Sequence, residues 1–239
     1  MMRPHGSATV EREGDDAGFT LVELIVAVVI LGLVLTMVGG FFITTTRIVA
    51  MTRTTSESTG TASNVLDEVS RVIRSGTDNP VLAQPLAAPA FLTATTESLT
   101  IYSYVDSYVS GSSTELRPQI VQVSLTTDRR VREKRWVPSS SASGYFVFPA
   151  LTTTPASSRI IGGPLAATPS GGVPLFTYLN QAGAPVVQPA TGYTPDQLRT
   201  VAAVKLTVRV SGTDAQSDNT VLLQNTVRIP NLGFTGATP

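Results

Sequence analysis

The chain has 239 residues, with 17 Lys and Arg against 17 Asp and Glu, and charged residues make up only 14% of it. Soluble globular proteins carry about 25% charged residues, and the mean hydropathy here is slightly positive, at +0.18. The chain has no Cys, and its one His is His5. These counts exclude disulfides, thiolate metal sites, Cys nucleophiles and any catalytic triad that needs a His in the folded part.

The apolar residues are concentrated in one run near the N-terminus. From Leu24 to Thr46 there are 23 consecutive uncharged residues, mostly Val, Ile, Leu, Gly and Phe. A helix needs about 20 such residues to span a bilayer. A cleaved secretory signal fits poorly, because its apolar part is about 7–15 residues long and ends at a small-residue cleavage site. The run therefore predicts a membrane helix.

One acidic residue, Glu23, lies at the start of this run, in the sequence Gly18-Phe19-Thr20-Leu21-Val22-Glu23. A carboxylate near the centre of a bilayer costs about 2.5–3.5 kcal/mol. Glu23 therefore either lies at the membrane interface, with its carboxylate in water, or pairs with a cation.

The segment Gly18–Glu23, followed by an apolar helix, resembles the leader junction of type IV prepilins and type II secretion pseudopilins. The resemblance implies cleavage after Gly18 by a membrane-embedded prepilin peptidase, and N-methylation of the new amino terminus, Phe19. Glu23 then corresponds to the acid that pairs with the N-terminal amine of a neighbouring subunit during assembly. Such pairing is physically coherent, because an ammonium and a carboxylate are each costly alone in lipid.

Two features depart from the common pattern of that family. The residues before the junction are Asp15-Asp16-Ala17, where Lys or Arg is common. Gly32, Gly39 and Gly40 lie within the apolar helix, and many major pilins have a Pro near the position of Gly40. These glycines allow either close helix packing or local melting of the helix in a filament.

A helical pattern resumes after the membrane run. Apolar residues follow a three-and-four spacing at Val65, Leu66, Val69, Val72 and Ile73, and Ser75-Gly76 is a suitable end. The Ser- and Thr-rich residues 52–63 leave open whether the helix is interrupted between the two apolar parts.

The composition changes from Asn79 onward, and the apolar period becomes two. Strands are predicted at Ser98–Val105, Gln119–Leu125, Arg130–Val137, Gly144–Phe148, Val201–Val210 and Thr220–Ile229. Turns are predicted at Thr126–Arg129 and Gly212–Asn219, and the Pro- and Gly-rich stretch 149–195 predicts long surface loops.

The predicted fold is α+β, with a long N-terminal helix whose second half packs on an antiparallel β-sheet head. We expect a leader at 1–18 that is removed, a transmembrane and filament-core helix at 19–46, the second half of the helix at 47–76, and a β-rich head at 77–239.

A predicted strand of the head is rich in cations and suggests a second possible function, the binding of an anion. Arg130, Arg132, Lys134 and Trp136 share one face of the predicted strand. The cations could contact the phosphates of DNA or another anion and Trp136 could stack on bases, or the charges could protect an exposed strand from aggregation. In the last hairpin loop, Asp214, Asp218 and Asn219 fit an ordinary turn better than a Ca²⁺ site.

We therefore interpret the chain as a structural minor pilin or pseudopilin, without enzymatic activity, cofactor or metal. The resemblance implies prepilin peptidase, other pilin subunits, an inner-membrane assembly platform and the lipid bilayer as partners. It also implies a single-pass inner-membrane protein with a cytoplasmic leader, which then enters a periplasmic or cell-surface filament: a type IV pilus, a secretion pseudopilus or a competence filament. The alternatives are a filament-tip subunit that binds DNA or acts as an adhesin, and a membrane-anchored enzyme that keeps its leader.

Overall fold

The computed structural model describes residues 20–110, 113–142, 145–189, 192–211 and 220–232. Helix α1 runs from Leu21 to Arg74, a length of 54 residues. It is not interrupted within the Ser- and Thr-rich residues 52–63. There the Oγ1 of Thr59 donates to the carbonyl of Thr55 at 2.8 Å, and Arg53 Nε pairs with Glu57 Oε1 at 3.0 Å. These local bonds satisfy polar side chains within the helical conformation.

The chain divides into two compact units that meet between Met51 and Thr52, within helix α1. In the first unit, the described side chains of the helix are exposed. In the second unit, the helix buries the stripe that its spacing predicts, which consists of Val65, Leu66, Val69, Val72 and Ile73, and it also buries Ala62.

The second unit contains two larger antiparallel sheets and two hairpins. The five-stranded sheet has the order β1-β2-β5-β6-β9, and the three-stranded sheet has the order β10-β11-β12. The strands of the five-stranded sheet are β1 (Phe91–Ala94), β2 (Ser98–Ser103), β5 (Gln119–Leu125), β6 (Val131–Trp136) and β9 (Ser157–Gly162). Those of the three-stranded sheet are β10 (Phe176–Leu179), β11 (Ala203–Ser211) and β12 (Thr220–Arg228). The hairpins pair β3 (Ser107–Ser110) with β4 (Ser113–Leu116), and β7 (Ser140–Ala142) with β8 (Tyr145–Val147).

The predicted α+β architecture is confirmed, and each of the six predicted strands corresponds to an observed one, with small changes at the ends. The expectation of long loops in 149–195 was only partly correct, because β9 and β10 lie there, although residues 163–175 between them form neither helix nor strand. Strand β9 is an edge strand with four exposed residues in a row, and β10 has only four residues, so neither shows an extended two-residue period. A short helix, α2 (Pro195–Thr200), also begins in this stretch, with a capping box between Thr194 and Gln197.

Helix α1 and the two larger sheets share one core. From the five-stranded sheet it includes Phe91, Leu99, Ile101, Val121, Val123 and Val131, and from the three-stranded sheet Phe176, Tyr178, Val204, Leu206, Val208 and Val227. The hydroxyl of Tyr178 lies 2.9 Å from the carbonyl oxygen of Thr95 and 3.1 Å from that of Ser98, which ties the two sheets together. Burial raises the pKa of this hydroxyl well above 10.

Gly162 determines how closely the helix can lie on β9. A Cβ atom at this position would lie 2.3 Å from Cγ2 of the buried Val65. The absence of a side chain therefore permits the contact between the edge strand and the helix.

Candidate processing and assembly site

Thr20 and Glu23 form the start of helix α1. The backbone N–H of Thr20 donates to Glu23 Oε2 at 3.0 Å, and the Oγ1 of Thr20 donates to the same oxygen at 2.9 Å. In return, the backbone N–H of Glu23 donates to Thr20 Oγ1 at 3.3 Å. This is a capping box, which satisfies backbone donors that the first turn of a helix leaves without partners.

The capping box uses only one carboxylate oxygen of Glu23. Both bonds from Thr20 end on Oε2, and no hydrogen bond to Oε1 is made within the part of the chain that the structure describes. The carboxylate can therefore hold the helix start and still accept a further donor. The residues of the predicted cleavage position, Gly18 and Phe19, lie outside the described residues.

The helix that follows presents apolar side chains on all sides. Leu24, Ile25, Val28, Leu31 and Phe41 are each more than half exposed, and the 23 residues from Leu24 to Thr46 contain no charge. Among the described residues, one helix, Leu21–Arg74, is long and apolar enough to cross a membrane. Water does not stabilise such a surface, so lipid or other protein must cover it.

The glycines of this segment leave room on the helix surface. A Cβ atom at Gly32, Gly39 or Gly40 would meet nothing within 4 Å. Thr36 Oγ1 donates to the carbonyl of Gly32 at 2.8 Å, and Thr44 Oγ1 donates to that of Gly40 at 2.9 Å. The hydroxyls are therefore satisfied within the helix itself, as is needed in an apolar environment.

Farther along the chain, an ionic cluster joins helix α1 to the five-stranded sheet. We call it the arginine–carboxylate cluster; it consists of Glu68, Arg71, Asp106, Glu133, Arg135 and Arg159.

Glu133 is the buried centre of this cluster, with no exposed side-chain surface. Its Oε1 lies 2.6 Å from Arg135 Nε and 3.0 Å from Arg159 Nε. Arg159 also pairs with Glu68 on the helix, and Arg71 Nη2 lies 2.7 Å from Glu68 Oε1. A buried carboxylate is costly unless it is paired, and here two guanidinium groups pair with it.

The titration of Glu68 reflects its place in the cluster. The hydrogen bond from Arg71 lowers the pKa of Glu68, although burial opposes the shift, and the charges of Arg71 and Arg159 lower it further. The pKa of Arg71 and that of Arg159 are raised, the first chiefly by the hydrogen bond to Glu68 and the second by that to Glu133. Local spacing does not predict this cluster, because Glu68 and Glu133 are 65 residues apart in the chain.

Strand β6 contains three of the four residues that were predicted to share its cationic face; the fourth, Arg130, lies before the strand. Arg132, Lys134 and Trp136 share a face, since they pair with Ser124, Gln122 and Ile120 of β5. Arg132 and Lys134 make no ion pair with a described residue. Arg130 precedes the strand, and its Nε lies 3.2 Å from Asp128 Oδ2.

Trp136 is not available as a stacking surface. It is 3% exposed, it packs with Tyr102, Ile120 and Phe148, and its Nε1 donates to the carbonyl of Thr153 at 3.1 Å. The stacking role suggested by the sequence was therefore wrong, because a hydrophobic cluster on the outer side of the sheet covers the ring. The loop with Asp214, Asp218 and Asn219 lies outside the described residues.

Residues 15–39 match the family model for the prokaryotic N-terminal methylation motif. The chain therefore carries the N-terminal motif of a type IV prepilin- or pseudopilin-type protein, at the start of its one membrane-length helix among the described residues. No curated protein matches the chain.

Proposed function

We propose that this chain is a minor pilin or pseudopilin, cleaved after Gly18 by prepilin peptidase, N-methylated on Phe19 and assembled into a filament with other pilin-like subunits. The observation that carries the proposal is the methylation motif at residues 15–39, which leads directly into an uncharged, exposed helix. Proteins with this motif are structural rather than catalytic, so we assign a structural role.

The geometry of Glu23 supports the assembly step. Cleavage after Gly18 leaves a positive amine on Phe19, four residues before Glu23. In a filament, the amine of one subunit would donate to Glu23 Oε1 of its neighbour, while Oε2 keeps its bonds to Thr20. Pairing neutralises two charges that are each costly in an apolar environment.

The long apolar surface of helix α1 is suited to both the inner membrane and the filament, the two places where the proposal puts it. Before assembly, lipid covers residues 24–46 and holds the chain in the inner membrane as a single-pass protein. After assembly, the equivalent helices of other subunits would cover the same surface. The two states thus bury the same side chains against different neighbours, which lets the subunit move from membrane to filament without exposing them to water.

The decisive test is processing. The full chain is co-expressed with a prepilin peptidase, and the intact mass of the purified product is measured. We expect loss of residues 1–18 and the gain of one methyl group on Phe19. Gly18→Ala should remain uncleaved, whereas the matched leader variant Gly14→Ala should be processed normally. An unchanged N-terminus in the wild-type protein would refute the proposal.

A second candidate function is contact with DNA or another polyanion at the filament tip. Arg132 and Lys134 on the outer face of β6 favour it, because neither forms an ion pair with a described residue; the charge of Arg132 acts on Asp128 only at longer range. The contact would be to phosphates only, since Trp136 is buried. Reversing both charges to Glu should abolish salt-dependent DNA retention, whereas Lys205→Glu with Arg209→Glu, on the other sheet, should not. Equal retention by both double variants would exclude a specific role for β6.

A further inference from the structure

Strand β12 lies at the edge of the three-stranded sheet and is paired on one side only. Its nine residues, Thr220–Arg228, pair with β11 in an unbroken antiparallel register. No other strand among the described residues lies along its second side.

The register determines which backbone groups remain open on β12. In β11, the N–H of Thr207 donates to the carbonyl of Leu175, on the side of β10. Thr207 is opposite Gln224. Because hydrogen-bonded and non-hydrogen-bonded pairs alternate in an antiparallel ladder, the N–H and C=O groups of Leu222, Gln224 and Thr226 point away from β11. Their side chains are exposed as well.

The other sheet edges are short, irregular or covered. Strand β1 has four residues and a register shift, and β9 has six residues and a register shift. On the outer side of β10, the N–H of Val186 donates to the carbonyl of Tyr178 at 2.8 Å. Short strands, bulges and covering segments prevent unwanted strand pairing.

Within the described ranges, strand β12 has none of these protections. It is nine residues long, has no register shift or Pro, and carries a single charge, Arg228, at its end. A long open edge of this kind is a template for an added strand.

The charges beside the open edge indicate the chemistry of that strand. Lys205, Arg209 and Arg228 lie on the same face of the sheet as Leu222, Gln224 and Thr226, because paired positions in a sheet share a face. Arg228 is exposed, and Lys205 and Arg209 are half-buried, with Arg209 Nη1 3.1 Å from the carbonyl oxygen of Val173. Neither β11 nor β12 contains an acidic residue. An incoming strand with carboxylates on this face would therefore be favoured by complementary charge. A second copy of β12 would bring another Arg228 and no carboxylate.

We infer that the open edge of β12 binds an extended, acidic segment of another protein chain by strand addition. Main-chain hydrogen bonds to Leu222, Gln224 and Thr226 hold the segment, and carboxylates on alternate residues contact the three cations. The contact does not depend on cleavage after Gly18, so the uncleaved chain is expected to bind as well as the processed one.

The test uses the full chain in detergent micelles and a synthetic nine-residue probe, Thr-Glu-Val-Glu-Val-Glu-Val-Glu-Thr. A matched probe has Lys in place of each Glu. Amide hydrogen exchange is measured residue by residue in β12. We expect the Glu probe to slow exchange at Leu222, Gln224 and Thr226 by about tenfold or more, and the Lys probe to leave it unchanged. The amides of Leu223 and Asn225, which face β11, should not respond.

Two sets of variants separate main-chain pairing from simple charge attraction. Leu222→Pro removes one outward N–H and should abolish protection, whereas Leu222→Ala keeps the N–H and should retain it. Lys205→Glu with Arg209→Glu leaves the edge intact and should reverse the preference, so that the Lys probe binds better.

Equal binding of both probes, or protection that survives Leu222→Pro, would overturn the inference. Protection that grows with the concentration of the chain alone would identify a second copy as the occupant and would also overturn it. If Leu222→Pro fails to fold, the charge reversal decides the question.

Discussion

Glu23 combines two tasks that place different demands on its side chain. As a helix cap it needs only an acceptor oxygen for the N–H of Thr20, which it provides at 3.0 Å. As the proposed partner of a neighbouring N-terminal amine it needs a negative charge. A glutamine provides the acceptor but not the charge, so one substitution can separate the tasks.

We predict that Glu23→Gln leaves the helix start and the cleavage after Gly18 intact. The amount of assembled filament should fall by about tenfold or more, because the amine of the neighbouring subunit then remains unpaired in an apolar environment. Sheared filaments are quantified by immunoblot, and cleavage is followed by intact mass. Glu23→Ala, which also removes the acceptor for the N–H and the hydroxyl of Thr20, should assemble no better. Wild-type filament levels in Glu23→Gln would show that capping is the main task of this residue.

Gly162 and Gly60 offer a matched pair for the packing of helix α1. A Cβ atom at Gly162 would overlap Cγ2 of Val65, at 2.3 Å, whereas a Cβ atom at Gly60 would meet nothing within 4 Å. We predict that Gly162→Ala lowers the free energy of unfolding by about 1–3 kcal/mol. Gly60→Ala, in an exposed helical position, should raise it by about 0.5–1 kcal/mol. Chemical denaturation followed by circular dichroism measures both; a Gly162→Ala variant as stable as the wild type would contradict the close contact.

At the scale of elements, the arginine–carboxylate cluster is the polar connection between helix α1 and the five-stranded sheet. It links Glu68 and Arg71 of the helix to Glu133 and Arg135 of β6 and to Arg159 of β9. Hydrophobic packing buries the helix stripe, and the cluster adds directional contacts that determine how the helix is rotated and shifted against the strands.

The cluster makes stability depend on pH in a defined direction. The pKa of Glu68 is lowered in the folded state from its ordinary value of 4.5, so the unfolded state takes up the proton first. The stability that Glu68 contributes is therefore present above that value and lost as the pH falls through the folded pKa. We predict that Glu68→Gln lowers stability at neutral pH and flattens its decline below about pH 4.5.

Urea unfolding between neutral and acidic pH checks this prediction. Glu57→Gln is the matched control, since Glu57 forms a single, largely exposed pair with Arg53 on the same helix, and such pairs contribute little to stability. A decline for Glu68→Gln as steep as that of the wild type would show that other carboxylates dominate the response to acid.

At the scale of the whole molecule, the chain divides between Met51 and Thr52 into two units that need different surroundings. Before it, the helix exposes large apolar side chains over several turns. After it, helix and sheets bury a common core. The first part needs lipid or neighbouring helices, whereas the second has its own core.

We predict that residues 52–239, expressed alone, form a soluble protein that unfolds cooperatively, because they contain the shared core. The full chain should instead sediment with membranes and resist extraction at alkaline pH. Fractionation and thermal unfolding by circular dichroism test both statements. Aggregation of the 52–239 fragment, or release of the full chain without detergent, would contradict the division.

Features that depend on neighbouring residues in the chain could be predicted from the sequence alone. The apolar run after Glu23, the buried stripe from Val65 to Ile73 and strands such as Gln119–Leu125 all follow from local spacing, because periodicity determines which side chains share a face. The methylation motif is likewise a contiguous pattern, at residues 15–39.

Only the tertiary structure decided which distant groups meet. The fold buries Glu133 between Arg135 and Arg159, and its carboxylate offsets part of the positive charge of the cationic strand β6. Trp136 was predicted as a stacking surface, but it is buried in a cluster with Tyr102 and Ile120, against which Phe148 and Leu151 pack. The open edge of β12 depends on the order of strands in a sheet, which no local pattern contains. Local spacing determines faces and periods, whereas pairing and burial depend on contacts between residues that are far apart in the chain.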